Sequence, residues 1–359
     1  MVKVVIDLRM VRGPLHGIAR YALELARRIP PLEPGWQFVG LVGPDGVPEE
    51  LGDLAPRIPL VKTGAEFLSP LEQPTLAASL LKLAPDLFHA TSFSLPALWP
   101  GPLVATIHDA NHVALTESQS RTRTAYYRFV VGPRAKRAKA LVTVSEFSRN
   151  EIARHLALAP ERLQVIANGV DTSFRVPPAS ELEDFRARRG LPEHYFAAIG
   201  STKPHKNLRV LRTIASSLPA PLVLLAGRGA RRALGFEESV IELSPLPDAD
   251  LVRFYAAALG VLVPSHYEGF GLPALEAMAC GAPVIAADAG AHCEVVGSAG
   301  LLVDPHDPAA WRDAAQRVFR NEELRRSLSQ AGVARAARFS WDDCAQRTLQ
   351  VYRRALGLS

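Results

Sequence analysis

The sequence predicts an α/β protein built from two doubly wound parallel-sheet domains in tandem. Short apolar, β-branched runs without polar alternation recur along the whole chain, separated by stretches of helical period, as buried parallel strands do. They fall into two series, and a charged stretch near Phe174–Leu191, where VPPAS leads into ELEDFRARRG, separates them. At 359 residues the chain exceeds one ordinary core and suits two domains of roughly 150–200 residues each.

In chain order, the first series of strand candidates is Val2–Asp7, Phe38–Val42, Leu87–His89, Leu103–Ile107, Leu141–Val144 and Gln164–Ile166. The second is Tyr195–Ile199, Leu222–Ala226, Val240–Leu243, Val261–Val263, Val284–Ala286 and Leu301–Val303. The opening MVKVVIDLRM carries Lys3 and Asp7 within its apolar run, so it reads as a strand and not as a signal peptide. Helix punctuation fits this map. Ser148 with Glu151 three residues on has the capping-box spacing, and Asp307-Pro308 has the N-cap and first-turn pattern of a helix over 308–320. An amphipathic final segment starts at Ser340. The boundary is placed between a domain of residues 1–176 and one of 177–340.

Composition narrows the function classes. Hydrophobic residues make up 48% and charged residues 21%, the profile of a globular chain. A net charge of +5 suits anionic small molecules or an anionic membrane surface, and no nucleic-acid-binding signature accompanies it. Cys280, Cys293 and Cys344 lack both disulfide-framework and metal-ligand spacing, and read as small buried residues of a reducing compartment. No apolar run approaches the ~18 residues of a membrane span, so the expectation is a cytoplasmic protein with at most peripheral membrane contact. Arg121–Lys139 holds seven basic residues and no acid. It reads as a solvated Arg-rich helix interrupted at Gly132-Pro133, with a membrane-facing helix as the alternative.

Ligands of open parallel sheets bind beyond the carboxyl ends of the strands, so site residues should follow strands. Glu268-Gly-Phe-Gly-Leu-Pro-Ala-Leu-Glu276 does so. Gly269 and Gly271 allow close backbone approach, Pro273 suits a first helical turn, and amides from Gly269 through Phe270 to Leu272 at a helix start suit a diphosphate. Glu276, a turn inside that helix, is placed to accept from ribose hydroxyls, and Glu268 from sugar hydroxyls. An ordinary βα turn with two surface glutamates is the alternative reading of the spacing. Asp248-Ala-Asp250 is read as a helix N-cap in preference to a metal-binding DxD.

The Glu268–Glu276 string resembles the signature of the family 4 retaining glycosyltransferases. The resemblance extends over nearly the whole chain through HGIARY, VATIHDA, VTVSEFSRNEI, VIANGVD, IGSTKPHKNL and VVGSAGLLVDP. It implies a GT-B fold of two facing Rossmann-like domains, an acceptor-side N-terminal domain with helix 341–359 packed back on it, and a C-terminal donor domain. It implies a nucleotide-diphosphate sugar as donor, a saccharide or lipid-linked acceptor, no metal or other cofactor, and transfer of a hexosyl group with retention. Lys206 is similar to the family lysine that meets the donor diphosphate. Ser201 stands where many members have an arginine, and Lys203, His205 or Arg228 is left to supply the missing charge. His108 matches the histidine that contacts the donor sugar, with Asp109 as a candidate for orienting its ring. Gly13 and Gly17 match the glycine-rich first loop, with His16 beside it, and Asn168 lies on the expected cleft rim. PHKN inclines the donor toward GDP-mannose. A sugar phosphorylase or nucleotide-sugar 2-epimerase of the same fold, and a non-catalytic relative, are the alternatives.

Overall fold

The computed structural model describes residues 1–12, 16–115 and 121–358, the side chains of 121–123 excepted. Gly13 therefore lies outside the described residues. The chain divides into two compact units, Met1–Gly169 with Trp341–Ser359, and Val170–Ser340.

Among the described residues, the first unit holds a seven-stranded parallel sheet. Its strands are β1 (Lys3–Asp7), β2 (Gln37–Val42), β3 (Leu60–Lys62), β4 (Leu87–Ala90), β5 (Leu103–Thr106), β6 (Ala140–Thr143) and β7 (Leu163–Val165). The order β3-β2-β1-β4-β5-β6-β7 reverses direction between β1 and β4. β4 and β5 are buried throughout and β1 and β2 nearly so, because helices cover the sheet and the strand residues are apolar on both faces. The C-terminal helix Trp341–Ala355 belongs to this unit. Arg28 Nε donates to Asp342 at 2.8 Å, and Arg347 donates to the Val165 carbonyl at 2.7 Å. At its far end, Tyr352 hydroxyl meets His89 Nδ1 on β4 at 2.6 Å.

The second unit holds a six-stranded parallel sheet among the described residues: β8 (Phe196–Ile199), β9 (Leu222–Leu225), β10 (Ile241–Glu242), β11 (Gly260–Val263), β12 (Val284–Ala287) and β13 (Leu301–Val303). Its order, β10-β9-β8-β11-β12-β13, reverses between β8 and β11. Phe196, Leu224, Leu262, Ile285 and Trp311 fill its core. At the two ends of this unit Val170 pairs with Ser340, and Val170 N donates to the Phe339 carbonyl at 3.1 Å.

Four local expectations are corrected. Leu60–Lys62 is a strand the sequence reading did not include. The helix Glu146–Leu156 is capped by Ser145, whose hydroxyl accepts from Ser148 N at 3.0 Å, so Ser148 is inside the helix and Glu151 pairs with His155. Gly132-Pro133 does not end the preceding helix. A π turn over Tyr127–Val131 supplies the register change that a proline demands, and helix continues over Gly132–Lys136. Asp248 lies inside the first turn of the helix Asp248–Ala256, with Pro247 at the N-cap position.

Candidate active site

In the second unit the loops after β8 and β11 flank the point where the strand order reverses, the place where open α/β sheets leave a crevice. The loop after β8 carries half-buried Ser201 and a 3-10 turn over Pro204–Lys206, and ends at Asn207 in the left-handed region, φ 53°. Asn207 Nδ2 donates to the Pro264 carbonyl at 3.1 Å, just past β11, and to the Pro305 carbonyl at 2.7 Å, just past β13. His266 N donates to the His205 carbonyl at 3.0 Å. One asparagine thus ties together loops from three strand ends and fixes the residue before it, Lys206.

Lys206 Nζ donates to Glu268 Oε1 at 2.6 Å, joining the two loops. Burial raises the Glu268 carboxyl pKa, but Lys206, then His292, outweigh it and hold the group below its ordinary value. Glu268 is therefore ionised at neutral pH. Past it, Gly271 adopts φ 97° and opens the helix Leu272–Ala279. A Cβ on Gly271 would lie 2.9 Å from His292 Cδ2, so the loop needs glycine there for space as well as for backbone angle. Ala274 and Leu275 amides return to the Gly271 carbonyl and Pro273 has none, while Phe270, Gly271 and Leu272 donate to no described backbone carbonyl. Phe270 is buried against Phe339, ring centroids 5.8 Å apart, which anchors the loop. One turn further, Glu276 is buried and accepts from Tyr255 hydroxyl at 3.3 Å.

The candidates for the charge absent at Ser201 separate. His205 is buried, and burial with Lys206 beside it pulls its pKa to about 4, so it is neutral and leaves the set. Lys203 is exposed. Arg228 is exposed between Gly227 and Gly229, both left-handed, and makes no ion pair with a described residue. The amides next to it are taken: Glu242 accepts from Gly229 N and Arg231 N, each at 2.6 Å. That loop therefore offers a side chain but not a free anion-binding helix start. Asp250 is held by Arg188, Arg189 and Arg253.

In the first unit, His108 follows β5 and is almost completely buried. Its Nε2 donates to the Thr91 carbonyl at 2.9 Å, and Tyr21 meets it edge-on with ring centroids 4.7 Å apart. Thr91, not Asp109, orients the ring, and Asp109 Oδ1 accepts from Asn111 N at 3.0 Å. Burial, against the opposing pull of Thr91, lowers the His108 pKa to about 4. The neutral ring presents Nδ1 as an acceptor, suited to a hydroxyl. His16 Nδ1 accepts from Ala19 N at 3.4 Å and so caps the helix Gly17–Leu32, whose first residue is Gly17. Asn168 is buried with Oδ1 unpartnered.

Sequence reasoning missed the support behind these groups. Arg9, fully buried, bonds Asp7, Glu72, Ser94 and the Ala65 carbonyl, gathering the segments after β1, β3 and β4. Thr91 hydroxyl donates to the Asp7 carbonyl at 2.5 Å. A charged pair inside the first βα turn, DLR, was the available signal.

The two units are Rossmann-like, and the second joins its loops after β8 and β11 through an ionised glutamate and a lysine. Residues 181–335 match the family model of glycosyl transferases group 1, and residues 15–174 that of Glycosyltransferase Family 4. The O-antigen chain mannosyltransferase B of Escherichia coli is 30% identical, over 98% of this chain and 99% of that protein. A D-inositol 3-phosphate glycosyltransferase of Acidothermus cellulolyticus is 35% identical over 72% of this chain and 63% of its own length. Among solved structures, a sucrose-phosphate synthase from Thermosynechococcus elongatus superposes with a TM-score of 0.80 at 22% identity, covering 100% and 99% of the two chains. The Anabaena HepE protein in complex with UDP and glucose gives 0.79 at 20%, covering 98% and 99%; both share the fold. The chain belongs to the group 1, family 4 glycosyltransferases and has the GT-B architecture of two Rossmann-like domains. No helix among the described residues is long and apolar enough to cross a membrane.

Proposed function

We propose that the chain is a retaining, metal-independent hexosyltransferase that uses a nucleotide-diphosphate sugar, GDP-mannose in preference to UDP- or ADP-sugars. The acceptor in this reading is a saccharide or a lipid-linked saccharide. The observation that carries it is the Lys206–Glu268 pair at 2.6 Å, whose glutamate begins the loop that carries the amides of Phe270, Gly271 and Leu272. As the bond from the anomeric carbon to the diphosphate oxygen breaks, negative charge grows on the leaving group. Lys206 and the loop amides are preorganised to meet it, the cheapest form of transition-state stabilisation. Glu268, ionised, accepts from sugar hydroxyls and fixes the ring; Glu276 holds the ribose.

The second unit then binds the donor and the first the acceptor, with His108 offered to the transferring sugar. Arg228 or Lys203 supplies the charge missing at Ser201. Metal independence is supported by Asp250, which three arginines occupy. The mannosyl preference is supported by the full-length similarity to a mannosyltransferase. Peripheral contact with an anionic membrane has one supporting feature, Phe129, 70% exposed with Arg128 over its ring. Against it, Arg134 turns inward to the Pro96 and Gly101 carbonyls.

Thermal shift with GDP, UDP and ADP tests the nucleotide: GDP should raise the melting point most, by mass action. Proton NMR of the product, through its anomeric coupling, tests retention. A larger shift with UDP removes the GDP assignment, and an inverted anomer removes the retaining one.

A further inference from the structure

Packed on the Glu268–Gly271 loop lies a histidine that the donor-site reading leaves without a role. His292 opens the short helix His292–Val295, is 0% exposed, and neither ring nitrogen makes a well-formed hydrogen bond, the Ala287 carbonyl standing as a weak acceptor for one of them. A neutral imidazole carries one donor and one acceptor, so with at most a weak acceptor at Ala287 the other nitrogen is buried unpaired, a penalty that a leucine in the same space would not carry. The ring faces the loop: a Cβ on Gly271 would lie 2.9 Å from Cδ2 and 3.4 Å from Nε2. The residues just before it hold Glu268 by its backbone. Ala291 N donates to the Glu268 carbonyl at 3.1 Å, and a Cβ on Gly290 would lie 2.9 Å from Glu268 N.

Burial lowers the His292 pKa below its ordinary value. Glu268 and the Ala287 carbonyl, which ends β12, pull it upward, and Lys206 adds to the lowering. Glu268 and Lys206 are thus the charged groups that bear on the ring, and they already bear on each other.

We propose that His292 is a positioning residue for Glu268, taking up a proton and the carboxylate when the donor diphosphate draws Lys206 away. The inference rests on the donor-site reading. In the free protein, Lys206 meets the Glu268 charge directly, and a neutral His292 suffices. A bound diphosphate competes for the same ammonium group. Glu268, largely buried, then needs another cation, and the imidazole on its loop is able to become one. Solvent supplies the proton, a ring lone pair forms the new N–H bond, and nothing is oxidised or reduced. The consequence is that donor binding takes up a proton near neutral pH, and that affinity rises as pH falls toward the free protein's own His292 pKa, which lies below the ordinary imidazole value of about 6.5.

The test is titration calorimetry of GDP-mannose and UDP-glucose at neutral pH in two buffers of different ionisation heat, on wild type, His292→Gln, His292→Leu and His205→Gln. A nucleotide sugar has no phosphate group titrating in this range, so the difference between buffers counts protons taken up by the protein. Uptake in wild type and His205→Gln that is lost in both His292 variants is expected. In turnover, His292→Leu should lower kcat roughly tenfold to a hundredfold, the scale of a misplaced reactive group, with its melting point unchanged or raised. His292→Gln, which still donates a hydrogen bond, should recover most of that kcat but not the pH dependence. No proton uptake in wild type, uptake lost in His205→Gln but kept in His292→Gln, or full kcat in His292→Leu overturns the proposal while the donor site stands. If neither sugar nucleotide gives heat, the donor-site reading fails and this one with it.

Discussion

Replacing Asn207 with alanine should loosen the second unit at the point where three strand ends meet. Its side chain donates to the Pro264 and Pro305 carbonyls at 3.1 and 2.7 Å. Each bond is worth about 0.5–1.5 kcal/mol net. The residue also sits at φ 53°, a left-handed region that Ala84 and Ala157 also occupy here but that asparagine enters at lower cost than alanine, a difference of roughly 1 kcal/mol. The sum is about 2–4 kcal/mol, which for a unit of this size is a fall of roughly 5–15 °C in melting temperature. Asn207→Gly removes the bonds but relieves the backbone cost, so it should fall between alanine and wild type. Because Lys206 precedes it, both variants should also raise the donor KM. Differential scanning calorimetry reads the first effect and initial rates the second. An alanine variant melting within about 2 °C of wild type, with an unchanged KM, would refute the staple argument.

Two further outcomes follow from the charges in each unit. If Lys206 and the loop amides meet the diphosphate as proposed, activity should persist in EDTA; loss of turnover restored by Mg²⁺ or Mn²⁺ would count against that. Stability should fall as pH drops below about 6.5, because burial lowers the pKa of His89 to about 3 and of His108 to about 4. The unfolded chain binds those protons first, so stability is complete above the ordinary histidine value and is lost on the way down. For His108 alone the loss approaches about 3 kcal/mol. Glu268 acts in the same sense at lower pH, its lowered pKa adding stability that is lost only as pH falls through the carboxylate range. A melting temperature flat from pH 7.5 to 5 contradicts the histidine argument.

The strands were legible because parallel strands buried on both faces are written as short apolar runs, and Val284–Ala287 or Leu222–Leu225 have no other reading. β3 was not, since Leu60–Lys62 is a short edge strand, partly exposed and flanked by Pro59 and Gly64. Ser145 lost the cap to Ser148 on spacing alone, although the hydroxyl that ends the strand is the one placed to accept. In the site, Lys206, Glu268 and Glu276 were legible as members of motifs. Asn207 carried a usable sign, since asparagine after a 3-10 turn is a common left-handed residue. His292 carried none: its position matters only through Gly271 and Glu268, and no spacing along the chain encodes a packing contact. His205 stood beside Lys203 and Arg228 as a candidate charge donor for the same reason, because burial, which neutralises it, is a tertiary property.

The central claim is that Lys206, Glu268, the loop amides and Glu276 form the donor site. Calorimetric affinity for GDP-mannose in wild type, Lys206→Ala and Glu276→Ala tests it most directly. A lost charge-assisted hydrogen bond of about 1.5–3 kcal/mol corresponds to roughly a tenfold to hundredfold weaker Kd, with the fold intact by circular dichroism. Wild-type affinity in both variants would contradict the assignment.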